Sequence, residues 1–71
     1  MANVWPFSWI KRHWQASQRQ IDIDVLWPSV RTAADGNLVH AHEAFRLHVA
    51  LDPAWRDLPE AEREQIIEGL R

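Results

Sequence analysis

Asn37-Leu38-Val39-His40-Ala41-His42-Glu43-Ala44-Phe45-Arg46-Leu47-His48-Val49-Ala50-Leu51 is the stretch whose reading decides the fold. Asp35-Gly36 supplies a turn before it, Asn37 is placed to act as N-cap, and Asp52-Pro53 stops it. At about 100° per residue, Leu38, Ala41, Phe45 and Val49 form one apolar stripe. Ala44, Leu47 and Leu51 form a second stripe on another side. The pattern predicts a central helix with neighbours packed against both.

Upstream, Ser8 is a candidate N-cap, and Ile10, Trp14, Ser17, Ile21 and Val25 recur at spacings of 4, 3, 4 and 4. This seam predicts a helix over residues 9–26 that closes onto the core, with residues 1–7 as a loose lead-in and Trp5-Pro6 extended. Asp22 or Asp24 offers an alternative cap that would divide the segment. Trp27-Pro28 marks a break, after which Pro28 opens a short helix to Ala34 or continues the first one past a kink. Downstream, Asp57-Leu58-Pro59-Glu60 matches a capping box. It predicts a last helix over residues 58–70, with Leu58, Ala61, Ile66, Ile67 and Leu70 inward and Glu60, Glu62, Arg63, Glu64 and Glu68 outward. The expected architecture is all-α: a compact bundle of three to four helices with short connections marked by Pro and Gly, in a single domain spanning residues 1–71.

Composition narrows the function classes. The 71 residues carry no cysteine, so neither a disulfide nor a thiolate zinc site can supplement a small core. Five tryptophans in so short a chain are far above ordinary usage, and each can supply core burial or an interface anchor. Lys11 and Arg12 follow the aromatic start and no apolar run comes after them, so no secretory signal is expected and the cytoplasm is the expected compartment. The net charge of −2 conceals a polarity: residues 1–20 hold Lys11, Arg12 and Arg19 with no acid, and all ten acids follow.

Catalytic constellations are missing from the sequence. Gly36 and Gly69 are the only glycines, too few for a phosphate loop, and Ser8, Ser17 and Ser29 sit in no nucleophile motif. His42-Glu43 resembles the opening of a zinc-protease helix, but the position four residues after His42 is Arg46. His40 and His42 point nearly oppositely, so a metal site would need His42 or His48 with Asp or Glu from another helix. No catalytic residue, metal or cofactor is assigned on this basis, and the histidines are expected to hydrogen-bond at the edge of the Leu38–Val49 stripe.

The segment Val4-Trp5-Pro6-Phe7-Ser8-Trp9-Ile10-Lys11-Arg12-His13-Trp14 interleaves aromatics with cations. It suits core closure, a protein interface or a membrane surface. Nucleic acid is disfavoured, because three cations make few phosphate contacts beside an acidic remainder. A helix-turn-helix over residues 30–51 would offer Arg46 as the one strong cation of its second helix, whose two apolar faces leave little surface for a groove. The pairing of Asp22-Ile23-Asp24-Val25-Leu26-Trp27-Pro28 with Asp52-Pro53-Ala54-Trp55 predicts two tryptophans plugging the ends of the bundle, or an acid-rimmed Trp that seats an arginine. The reading adopted is a non-enzymatic interaction module anchored by Trp9, Trp14 and Trp27 and oriented by Lys11 and Arg12. A membrane-surface protein and a self-assembling homo-oligomer are the alternatives.

Phe7-Ser8-Trp9-Ile10-Lys11-Arg12, Asp22-Ile23-Asp24-Val25-Leu26-Trp27-Pro28, Ala44-Phe45-Arg46-Leu47-His48 and Asp52-Pro53-Ala54-Trp55 together make the chain resemble small uncharacterised phage and prophage proteins of proteobacteria. The resemblance carries no site residues. It implies a setting, that of an accessory virion part or an inhibitor that caps a host protein.

Overall fold

The computed structural model describes residues 4–71, with side chains from Trp9 onward. Helix α1 spans Val4–Ile21, a π-helical turn follows over Asp22–Leu26, and α2 continues over Trp27–Ala33. Helix α3 spans Leu38–Leu51, a 3-10 turn covers Pro53–Trp55, and α4 spans Glu60–Gly69. The architecture is the all-α bundle expected.

The first 30 described residues make one helical path. A helix of that length runs about 45 Å, which accounts for the long dimension of 51 Å in a body 22 Å by 18 Å across. The helix is already formed at Val4, so residues 4–7 are helical and not a loose lead-in, Trp5-Pro6 is not extended and Ser8 is not a cap. Residues 1–3 of the expected lead-in lie outside the described residues. Pro6 is tolerated because first-turn N–H groups have no intrahelical partner. At the anticipated break before Pro28 the helix widens without stopping. Proline lacks an N–H, and its ring collides with the carbonyl four residues back. In the widened turn the Trp27 N–H donates to the Asp22 carbonyl, five residues back. Ser29 Oγ donates to the Val25 carbonyl at 3.3 Å. Across this turn Asp22, Leu26, Trp27 and Val30 all meet the core.

Asp35 and Gly36 turn the chain with φ of +54° and +75°. Asn37 caps α3, its side chain accepting the His40 N–H at 3.2 Å. A Cβ on Gly36 would meet nothing within 4 Å, so its cost is purely one of backbone conformation. Gly36→Ala is expected to lose about 1 kcal/mol in urea unfolding.

The Leu38–Val49 stripe is the core face, as anticipated: Ala41, Phe45 and Val49 are buried together with Trp27, Ala54, Trp55 and Ile67. The Phe45 ring meets Trp27 and Trp55 edge-on at centroid distances of 5.6 and 6.0 Å. The second stripe is different. Ala44, Leu47 and Leu51 face solvent, because α2 and α4 both dock on the broad side centred on Phe45.

Helix α4 starts at Glu60, and the capping box does not form. Asp57 binds Arg19 instead, at 2.6 Å, since a guanidinium partner outcompetes a cap. Ile67 is buried as expected and Ala61 is exposed. Glu64 and Arg63 are half-buried, not outward: Arg46 Nε donates to Glu64 Oε2 at 2.8 Å, and Arg63 leans on the Trp55 carbonyl.

Candidate functional site

The predicted seam of α1 exists, but it faces outward. Trp9 and Trp14 are 60% and 48% exposed, and Ile10, Ser17, Ile21 and Val25 are exposed with them. The face turned to the protein is polar. Over this length α1 packs against the 3-10 turn, whose carbonyl groups need donors. Gln15 Nε2 donates to the Pro53 carbonyl at 3.2 Å, and Arg19 Nη1 donates to the Ala54 carbonyl at 2.8 Å and to Asp57. An apolar face could satisfy none of these groups, so burying the polar side leaves the apolar side in water.

Two surfaces result. One is the apolar strip of Ile10, Trp14, Ile21 and Val25, with Trp9 stacked on His13 at 5.5 Å beside it. The other is an open groove between α1 and the end of the 3-10 turn, lined by Lys11, Arg12, Gln15, Arg56 and Asp57. Since Asp57 is already paired with Arg19, the groove presents net positive charge. Of the proposed anchors, Trp9 and Trp14 lie exposed on α1, and Lys11 and Arg12 line the adjoining groove. Trp27 is corrected: it is 5% exposed, stacks on His42 at 5.3 Å and donates its Nε1–H to the Arg71 carbonyl at 3.1 Å. An indole so committed to the core is not available to a partner.

Trp55 is likewise internal, with no exposed surface. The pairing of the two tryptophans is therefore a packing device, and the acid beside Trp55 is an internal acceptor, not the rim of a binding seat. Trp55 Nε1–H donates to Asp22 Oδ2 at 2.8 Å. Asp22 is 4% exposed, and His48 Nε2 lies 3.1 Å from the same oxygen. That nitrogen also lies 3.0 Å from Asp52 Oδ2, while Asp52 Oδ1 accepts the Ala54 N–H at 2.9 Å. Burial alone would raise the Asp22 carboxyl. The hydrogen bonds from Trp55 and His48 outweigh it and hold Asp22 below the ordinary carboxylate value.

Of the histidines expected to hydrogen-bond at the edge of the core stripe, His42 and His48 do so, whereas His40 is exposed. His42 Nε2–H donates to the Leu70 carbonyl at 2.8 Å. Sequence reasoning did not find the buried Asp22. The detectable signal was the spacing His48, Asp52, Trp55, which puts three polar groups near one point where α3 ends. The partner residue on the long helix carried no mark of its own.

Among the described residues, no helix is long and apolar enough to cross a membrane. Comparisons of the chain with protein families, curated proteins and solved structures return no match.

Proposed function

We propose that this protein is a non-enzymatic interaction module that docks a partner protein through the outward face of α1. The setting we favour is that of a phage-encoded inhibitor or accessory subunit. One observation carries the reading: the long helix buries its polar side and leaves Trp9, Ile10, Trp14, Ile21 and Val25 in solvent. Exposing large apolar side chains costs solubility, and five of them along one helix, interrupted only by Ser17, are the ordinary mark of a surface covered in the working state. Trp is the residue most enriched at binding hot spots. Lys11, Arg12 and Arg56 in the adjoining groove favour a partner whose rim is acidic.

The test is a pull-down from host lysate with the tagged chain, compared with a Trp9→Ala/Trp14→Ala variant. Both side chains are exposed, so the variant is expected to keep the wild-type circular dichroism spectrum and thermal midpoint. A stoichiometric partner should be captured by the wild type and lost by the variant, with affinity falling at least about 30-fold for hot-spot residues. Equal capture by both would refute the assignment of this face.

The same strip supports a second reading, attachment to an anionic membrane surface, because tryptophans beside Lys11 and Arg12 suit the headgroup layer. Flotation with anionic vesicles at low salt distinguishes the two. Co-flotation lost in the double variant would favour the membrane, and no flotation would remove it. Self-association through the strip is read from sedimentation, where a monomer at high concentration excludes it.

A further inference from the structure

Asp22, His48 and Asp52 come from two elements distant in sequence, yet one nitrogen and two carboxylate oxygens converge within 4.8 Å of one another. We infer that these three side chains form a binding site for a divalent transition-metal cation of the Zn2+ type, which ties the long helix to the end of α3.

The distances already suit an ion. Two ligands each about 2.1 Å from a metal and about 90–110° apart are separated by about 3.0–3.4 Å. His48 Nε2 lies 3.1 Å from Asp22 Oδ2 and 3.0 Å from Asp52 Oδ2. These two separations match the geometry an ion requires, and the two carboxylate oxygens lie within 4.8 Å of each other. His48 and Asp52 stand one helical turn apart, which puts them on the same side of the chain, and Asp22 faces them from the π-helical turn.

Charge points the same way. Two carboxylates, whose side chains are 6% and 14% exposed, share one imidazole nitrogen that can carry a single hydrogen. Neither has a lysine or arginine among its ion pairs in the described residues. Buried carboxylates are ordinarily matched by a cation, and a doubly charged ion matches two of them. In the loaded site the ion would take the lone pair of Nε2, and the neutral ring would carry its hydrogen on Nδ1.

The carboxylates are also braced from behind. The Ala54 N–H holds Asp52 by Oδ1, the oxygen not offered to the ion, while Trp55 Nε1–H holds Asp22 by Oδ2 itself, which keeps further lone pairs for the ion. Both donors come from the 3-10 turn. Outer donors of this kind orient metal-binding carboxylates. The His48 side chain is 36% exposed, which leaves a route for the ion and for waters to complete its coordination. An imidazole ligand favours Zn2+, Co2+ or Ni2+ over Mg2+ or Ca2+. The ion would be structural, supplying a cysteine-free small domain with a cross-link between its longest helix and its central one.

The experiment titrates chelator-stripped full-length protein with Zn2+ by calorimetry and thermal unfolding. Co2+ is the spectroscopic probe, and the ring signals of His48 are followed by NMR during the Zn2+ titration. The expected result is one ion per chain, a thermal midpoint that rises with Zn2+, a Co2+ visible absorption band and a shifted His48 ring. Mg2+ should produce none of these. His48→Gln retains an N–H for Asp22, and Asp52→Asn retains the oxygen that accepts from Ala54. Each should lose at least tenfold in Zn2+ affinity. The inference is overturned if the wild type takes up no Zn2+ in large excess, or if both variants bind as it does. It is overturned equally if the ion binds while the His48 ring signals stay in place, a readout that needs no variant to fold.

Discussion

Trp55→Ala is expected to leave the chain largely unfolded at room temperature. The indole is fully buried at the junction of the long helix, α3 and the 3-10 turn, against Phe45. Truncating a buried aromatic costs about 3–5 kcal/mol. A second loss adds to it, because the Asp22 carboxylate, 4% exposed, is deprived of its indole donor. Removing one partner of a buried polar group costs a further ~1–3 kcal/mol. A domain of 71 residues has about 4–10 kcal/mol of total stability, so the sum consumes most of it. Trp55→Phe separates the two effects: it keeps most of the packing, loses the donor, and should remain folded with a deficit of about 1–3 kcal/mol. Urea unfolding followed by far-ultraviolet circular dichroism measures both. A Trp55→Ala midpoint close to that of the wild type would show that the core is not centred on this residue.

Asp22→Asn is the second change with a large expected effect. The amide preserves shape but removes the charge that strengthens the hydrogen bonds from Trp55 and His48, at a cost of about 1.5–3 kcal/mol near neutral pH. The effect should depend on pH in a defined direction. Asp22 is held below its ordinary value of 3.8 in the folded protein, so the unfolded chain binds the proton more readily. Its stabilising contribution is therefore complete above the ordinary value and is lost as pH falls through the folded-state value. The stability gap between wild type and Asp22→Asn should be constant from neutral pH down to about 5 and shrink under more acidic conditions. A gap independent of pH down to acid unfolding would refute the ionic role of this side chain. Chelator in every sample keeps metal binding out of the comparison.

The two variants probe a cluster whose half on α1 and its π-helical turn, Asp22, has no signature of its own in the sequence. Asp22 reads like Asp24, two residues away, yet Asp22 is buried and Asp24 is exposed, where it accepts from Gln20 Nε2 at 3.0 Å. The difference arises from the phase of the helix, which is set by contacts formed with residues more than 25 positions further on. Local pattern cannot report a contact at that separation. The capping box failed for a related reason: Asp57 had the right spacing to Glu60, but Arg19 reached it from the far end of the chain.

Local chemistry legible in the sequence determined the helical class, the Asp35-Gly36 turn, the Asn37 cap, the Asp52-Pro53 stop and the Leu38–Val49 core face. Each depends on residues within a few positions of one another, where backbone preference and side-chain spacing act directly. The tertiary structure alone decided which side of α1 is buried. Periodicity located the strip from Ile10 to Val25 and not its direction, because a stripe is equally regular facing in or out. Direction follows the hydrogen bonds that Gln15 and Arg19, on the opposite side, donate to the Pro53 and Ala54 carbonyls of the 3-10 turn. The tryptophans sorted by the same rule. Trp27 and Trp55 point their N–H groups at internal acceptors and are buried, whereas Trp9 and Trp14 lie on the face that this requirement turned toward the solvent.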